Sequence, residues 1–544
     1  MTLGEVLLVA TLAVPLVTLV LALSSGSHRR TTILLVLAAI PALLTALFAE
    51  SGTTVVLPQA LLSLVLSLDL PGRLLLGAAA LLWIATGAYA VLSRRGREND
   101  NPFPIWWLAT MTGSFGVFIV ADLVGFYLFF TLVSLSAYWL VVDDGAPPAK
   151  RAGAVYVSFA LLSEAFLLLA FVLLAVATRN DSFLIRDAVA AISTSPLRDP
   201  AMAFLVLGFG IKIGLVPFHV WMPLTYASAS IPVAAVLSGA TVKAGVIGLI
   251  RFLPFGVPLP GWGETLTALG FVSAFYGVLI GITQTNPRTI LAYSSVSQMG
   301  LIAAVLGMGL ATGNSITPAA AAFYAMFHIL AKGGLFLAIG VAQKTRHRTE
   351  WTVLLPAAVV VLGFGGFPMT GGAIAKYAIK SPLGDGDVAM LAMVSAAAST
   401  LLMLHFLRCL RASRSHETRT TSAAEQSFIW LAIVVAVVAL PWALYPAVIQ
   451  ASAHDALSFD ALWKATWPVL IGVLLFGVLG RAPRILPMIP PGDIIVLQSW
   501  AWSGAKALGD ATERIDEYLR RWSIAGSLLL VVTLALIGSF YVGR

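Results

Sequence analysis

Apolar runs of about 20 residues, the length that crosses the hydrocarbon core of a bilayer, follow one another from end to end of this chain with short polar connections between them. Roughly sixteen stretches meet that length and pattern. They are 3–23, 32–49, 74–93, 104–120, 122–142, 152–177, 201–217, 232–253, 264–284, 289–310, 318–342, 352–382, 387–409, 427–449, 467–480 and 523–541. The first has no basic region before it, exceeds a signal-peptide core and shows no convincing cleavage site, so it reads as the first spanning helix. The pattern predicts an all-α polytopic membrane protein with no soluble domain.

Two stretches are interrupted in matching ways. The first holds Gly-Ile-Lys-Ile-Gly-Leu-Val-Pro-Phe-His-Val-Trp-Met-Pro at 210–223, and the second Gly-Phe-Gly-Gly-Phe-Pro-Met-Thr-Gly-Gly-Ala-Ile-Ala-Lys at 363–376. Glycine and proline inside a spanning helix free backbone groups that lipid cannot satisfy, so such breaks survive where they line a cavity. The two lie about five helices apart, the mark of an inverted-repeat transporter. The expected organisation is helices one to three over 1–100, a first inverted repeat of helices four to eight over 101–256, and a second of helices nine to thirteen over 257–412. Helices fourteen and fifteen then occupy 413–480. From 481 to 544 an amphipathic helix, with Leu497, Trp500, Leu508, Ile515 and Trp522 along one stripe, precedes a last spanning helix. That stripe suits membrane contact, packing on the protein's own surface, or docking against a neighbouring subunit.

Composition sharpens the picture. The chain is 59% hydrophobic and 11% charged, against roughly 45–50% and 25% for soluble domains. Its net charge of +8 is not a nucleic-acid signal, because the basic residues lie in short loops. They gather after odd-numbered helices: Arg29-Arg30, Arg94-Arg95, Lys150-Arg151, Arg346, Arg348, and Arg408 to Arg419. The positive-inside rule then predicts a cytoplasmic face for these loops and an external N-terminus, in a cell inner (plasma) membrane. One cysteine, Cys409, excludes an internal disulfide and a cysteine-ligated cluster, and no residue pattern implies a redox cofactor or a metal site.

The candidate chemistry lies inside the apolar runs. Lys212, Lys243, Lys332 and Lys376 each sit deep in a spanning stretch, where an ammonium costs about 3 kcal/mol on insertion scales. A buried lysine changes protonation when its partner moves, which makes the series a proton path. His328 and Lys332 stand at i and i+4, on one face of helix eleven, and neutral imidazole both accepts and donates. Glu164, midway along helix six, is the clear carboxylate within the spans and is expected to face Lys212; the alternative is a protonated glutamate hydrogen-bonded in the bundle. His219 either gates the first break or hydrogen-bonds an unwound carbonyl. His405, near Arg408, is interfacial or closes the path. Asp122, Glu264 and Glu5 begin helices, where a carboxylate suits the dipole, and Lys380 is expected to snorkel to the surface.

These motifs carry a resemblance. Lys-Ile-Gly-Leu-Val-Pro-Phe-His-Val-Trp-Met-Pro followed by Leu-Ser-Gly-Ala-Thr-Val-Lys-Ala-Gly (within 212–245), Asn-Pro-Arg-Thr-Ile-Leu-Ala-Tyr-Ser-Ser-Val-Ser-Gln-Met-Gly (286–300) and Phe-His-Ile-Leu-Ala-Lys-Gly-Gly (327–334) resemble the antiporter-like subunit family. That family includes the proton-pumping subunits of NADH:quinone oxidoreductase, membrane-bound hydrogenase subunits, and the A and D subunits of Mrp-type cation/proton antiporters. The resemblance implies about fourteen core helices with two inverted five-helix repeats. It also implies a pumping lysine at Lys212, a bridging lysine at Lys243, a central relay at His328 and Lys332, and an exit residue at Lys376. One departure stands out: where the family places a glutamate in helix five, seven residues before a tyrosine, this chain has Thr131. Threonine holds no countercharge: either Glu164 takes over, which is the favoured expectation, or the first half-channel works differently, or the subunit does not pump.

Together these readings describe a proton-translocating, antiporter-like membrane subunit of a multisubunit complex, exchanging protons for Na⁺ or K⁺. Its partners would be other membrane subunits, the ions and the bilayer. The rivals are a pumping subunit of a complex I-like or hydrogenase-type redox enzyme, whose driving chemistry would lie in other chains, and a non-conducting scaffold, against which the lysine series argues. A subunit powering inorganic-carbon uptake is a further rival, which the helix-seven motif resembles less.

Overall fold

The computed structural model describes residues 1–24, 34–59, 63–94, 102–178, 182–345, 350–413, 422–481, 489–492 and 513. Met1–Pro491 forms one compact unit. The last predicted span, 523–541, and almost all of the amphipathic stretch before it lie outside the described residues.

In lipid a spanning segment must satisfy its own backbone, and a helix does so within one segment. The described spans are α1 (Leu3–Ser24), α2 (Leu34–Phe48), α3 (Leu70–Ser93), α4 (Phe103–Ile119), α5 (Leu123–Val141) and α6 (Pro147–Ala177). After them come α7a (Arg198–Ile213) and α7b (Trp221–Ser228), α8 (Ile231–Phe252), α9 (Pro260–Gly281), α10 (Pro287–Thr312) and α11 (Thr317–Gln343). The remainder are α12a (Trp351–Gly365), α12b (Gly371–Ala378), α13 (Asp387–Ala412), α14 (Ser422–Ile449) and α15 (Phe459–Arg481). Among the described residues, eleven helices are long and apolar enough to cross a membrane, and α2, α4 and α12a are shorter apolar ones. α8, α10 and α11 are wholly buried, whereas α6, α14 and α15 expose apolar faces. The three most hydrophobic spans, α1, α6 and α14, are among the least buried.

Both predicted interruptions are real breaks with one local geometry. α7a stops at Gly214, left-handed at φ 72°, where the Leu215 N–H returns to the Gly210 carbonyl. α12a stops at Gly366, left-handed at φ 89°, where the Phe367 N–H returns to the Leu362 carbonyl. This six-to-one closure is the Schellman stop, which glycine accepts without Cβ strain. Indole donors take up carbonyls at both sites: Trp221 Nε1 donates to Ile211 O at 3.0 Å, and Trp442 Nε1 to Thr370 O at 3.1 Å.

α9 and α10 pack closely because glycines recur every seventh residue on the facing sides, at Gly263, Gly270 and Gly277 and at Gly300 and Gly307. Small residues let backbones of membrane helices approach. A Cβ at Gly300 would collide with the Gly270 carbonyl and lie 2.6 Å from Ala274 N. Overpacking of this kind costs about 1–3 kcal/mol, so Gly300→Ala is expected to lower the thermal unfolding midpoint of the detergent-solubilised protein, and an unchanged midpoint would mean that the two helices have room to part.

Helix ends carrying the predicted inner-face basic residues are tied together. Arg94 pairs with Asp143 at 2.7 Å, Arg411 with Glu350 at 3.1 Å, and Lys344 donates to Gln426, which donates to Ser93. At the opposite end Arg251 grips Asp69 and the carbonyls of Val117, Phe118 and Val120. Asp122 caps α5 by accepting from Gly125 N, and Lys380 is exposed, as expected for each. A two-stranded hairpin, Thr54–Leu57 against Leu64–Ser67, also lies at this end and departs from the all-α expectation. Its strands of four residues are too short for alternation to register as a signal, and Asp122 holds it by accepting from Val65 N at 2.9 Å.

Candidate functional site

Five of the expected titratable groups gather in two clusters. In the first, Lys212 occupies the last turn of α7a, directly before the break, and is almost fully buried. Its Nζ donates to Ser134 Oγ on α5 at 2.6 Å and lies 5.1 Å from the ring centre of Phe130. Glu164 of α6 is the carboxylate whose charge Lys212 feels, and Ser134 and Thr131 lie against that carboxylate. Glu164 Oε1 and Thr131 Oγ1 are both buried without a hydrogen bond of ordinary geometry. α6 reaches this position because Gly208 has no side chain: a Cβ there would press on Leu167, and Ser163 Oγ donates to the Gly208 carbonyl at 2.7 Å.

α8 carries the second cluster. It is widened by a π turn over Leu237–Thr241, immediately before Lys243. Such a turn opens the backbone ladder, and Lys243 Nζ donates to the Ser238 carbonyl at 3.2 Å. The same nitrogen lies 2.6 Å from His328 Nδ1 on α11. Lys332 stands one turn further along α11, donating to the Leu291 carbonyl of α10 at 2.9 Å with its ammonium 5.0 Å from the ring centre of Phe364. All three groups are fully enclosed, and His328 Nε2 makes no hydrogen bond among the described residues. α8 packs on α7a two residues after Lys243, where a Cβ at Gly245 would lie 3.1 Å from the Lys212 Cβ.

Other expected positions stand apart. Lys376, on α12b, is half-buried with its chain folded over Gly366, and it makes no hydrogen bond or ion pair among the described residues. His219 sits in the first break, its ring 4.9 Å from that of Tyr276 and 6.1 Å from that of Tyr293. His405 lies at the basic end of α13, with Nε2 2.7 Å from the Gln284 carbonyl and Nδ1 2.8 Å from Arg408. It takes no part in either cluster.

Several participants escaped the sequence reading. Ser134, Phe130, Phe364 and the carbonyls of Ser238 and Leu291 do the solvating, and nothing in an apolar helix marks one serine or phenylalanine above the next. Gln298 is a missed one with a signal, a buried amide in a spanning stretch. It donates to Ser399 Oγ at 3.0 Å and accepts from the hydroxyl of Tyr324, one turn before His328 on α11.

The arrangement has a definite chemical capacity. Nitrogens 2.6 Å apart require one donor and one acceptor, so Lys243 and His328 hold a proton between them and cannot both present one along that contact. Lys332 stands one turn beyond His328 on the same helix face, so the three nitrogens form a short row in the enclosed centre.

A family model described as NADH:quinone oxidoreductase/Mrp antiporter, TM, matches residues 120–402, just over half of the chain and all of both clusters. The A subunit of the Na(+)/H(+) antiporter of Bacillus subtilis (strain 168) is 31% identical over 293 residues, a match covering 51% of this chain and 36% of that protein. The N subunit of the F(420)H(2) dehydrogenase of Methanosarcina mazei is 27% identical over 349 residues, covering 59% of this chain and 70% of that one. A chain of the Mrp complex from Dietzia sp. DQ12-45-1b shares the fold, with a TM-score of 0.79 at 20% identity over 100% of this chain and 63% of that chain.

Proposed function

The chain belongs to the NADH:quinone oxidoreductase/Mrp antiporter transmembrane family, and from that premise we propose that it is a proton-translocating subunit of a multisubunit membrane complex, exchanging protons for Na⁺ or K⁺. The observation that carries the reading is the enclosed Lys243–His328 contact at 2.6 Å, one helical turn from Lys332. An isolated buried cation is expensive, and a row of them sharing few protons along hydroxyls, carbonyls and water is the economical arrangement. Protons would enter at Lys212 and Glu164 and pass to Lys243, His328 and Lys332. They would leave past Lys376 at the second break, with His219, His405 and Thr131 as gate or relay. The like-shaped breaks at Gly214 and Gly366 support inverted repeats over 101–256 and 257–412, each break opening to one side. The tied basic helix ends support a plasma-membrane subunit with its N-terminus outside.

A second reading, a pumping subunit of a redox enzyme, draws on the likeness to the F(420)H(2) dehydrogenase protein, of which this chain covers 70%. Its test is co-purification: iron–sulfur subunits among the partners would favour it, small antiporter subunits the first. The proton path itself is tested in vesicles carrying the whole complex. Lys212→Ala is expected to reduce proton flux at least roughly tenfold, while Lys380→Ala, at the surface, leaves it unchanged; equal flux in the two variants would remove Lys212 from the path.

A further inference from the structure

Away from the two clusters, a cavity of about 500 Å³ opens at the basic end of the bundle, where α4 starts, α5 ends and α6 starts. Its walls include Trp106, Tyr138, Trp139, Asp143 and Lys150. Trp106 and Trp139 stack with ring centres 5.0 Å apart and planes 14° from parallel, and Trp139 remains 47% exposed. Stacked indoles at a helix end on the basic side of a membrane protein mark the headgroup level. The charges there are unequal. Asp143 is neutralised by Arg94 at 2.7 Å, whereas the Lys150 side chain has no acceptor among the described residues and stands exposed at the mouth beside Arg151. Asp144, in the same loop, has its charge felt by Arg288, so among the described residues Lys150 and Arg151 leave the aromatic-walled opening cationic. It continues into the bilayer: Leu128, Leu135 and Trp139 of α5, exposed by 41%, 37% and 47%, share one helix face at spacings of seven and four. That apolar strip leads from the cavity toward the membrane centre.

We propose that this cavity binds one anionic phospholipid, with its phosphate at Lys150, its headgroup against the Trp106–Trp139 stack and an acyl chain along Leu135 and Leu128. Charge selects the phosphate, the indoles fix the depth, and the strip supplies the cover that an exposed leucine row requires in hydrocarbon. The inference stands apart from proton transport, because it needs neither cluster to titrate.

The complex in nanodiscs of phosphatidylcholine with a minor share of phosphatidylglycerol, stripped in detergent and weighed by native mass spectrometry, tests it. Wild type and Lys150→Arg are expected to retain one phosphatidylglycerol, with retention falling roughly fivefold in Lys150→Ala, as about 1 kcal/mol per basic residue gives. Trp139→Ala is expected to lose it as well. Unchanged thermal unfolding in pure phosphatidylcholine shows that the variants are folded. Equal retention in Lys150→Ala, equal retention of phosphatidylcholine, or cover of Trp139 by a neighbouring protein of the intact complex would each overturn the proposal.

Discussion

His328→Ala is expected to lower proton flux by roughly 100-fold or more, the scale on which a lost proton-transfer group is felt, in vesicles carrying the complex. His328 Nδ1 is the side-chain partner of Lys243 Nζ, at 2.6 Å, and without it Lys243 retains, among the described residues, the Ser238 carbonyl at 3.2 Å. The alanine leaves a cavity as well, so His328→Gln is the sharper variant: an amide of similar size keeps a hydrogen bond to Lys243 and holds no titrating proton. Both are expected to fail in transport, while the glutamine variant unfolds close to the wild-type temperature. Lys243→Arg supplies the reciprocal test, because a guanidinium keeps the charge and does not release its proton. It too is expected to block flux. A His328→Gln protein that still conducts would mean that Lys243 and Lys332 communicate through water past the imidazole, and the 2.6 Å contact would then be packing.

Periodicity and residue type made much of this protein legible, for identifiable reasons. Spans announce themselves because lipid forbids any other use of a long apolar run, and the breaks because glycine and proline have no cheap place in one. The lysines stood out by cost alone. What stayed hidden is whatever depends on rotation about a helix axis. The sequence put Lys212 and Glu164 on helices seven and six, but whether they face each other rests on Gly208, whose missing side chain lets α6 and α7a close. Ser134 became visible only as the group nearest the ammonium. The π turn at Leu237–Thr241 has no composition of its own, and it decides which carbonyl Lys243 meets. Lys376 shows the converse: its setting beside the second break was readable, yet it joins neither cluster, since the turn after Gly366 folds its chain back over that glycine.

The position of the first carboxylate gives the other large effect. Glu164→Gln is expected to cut flux at least roughly tenfold, since removing one partner of a buried charge pair typically costs about 3–5 kcal/mol. Glu164 supplies the carboxylate whose charge Lys212 feels, and its neighbours Ser134 and Thr131 are neutral. Helix five offers a way to show that charge, rather than shape, is what matters. Thr131 lies against the Glu164 carboxylate, so a glutamate at 131 would reach the same space from the neighbouring helix. The double variant Thr131→Glu, Glu164→Gln is therefore expected to recover most of the flux, whereas Thr131→Gln, Glu164→Gln stays inactive. Thr131→Glu alone crowds two carboxylates onto one lysine and is expected to bind one proton more than the native site. If Glu164→Gln left the flux and its pH dependence as they are, Lys212 would need no countercharge, and the carboxylate on α6 would be a hydrogen-bonding group.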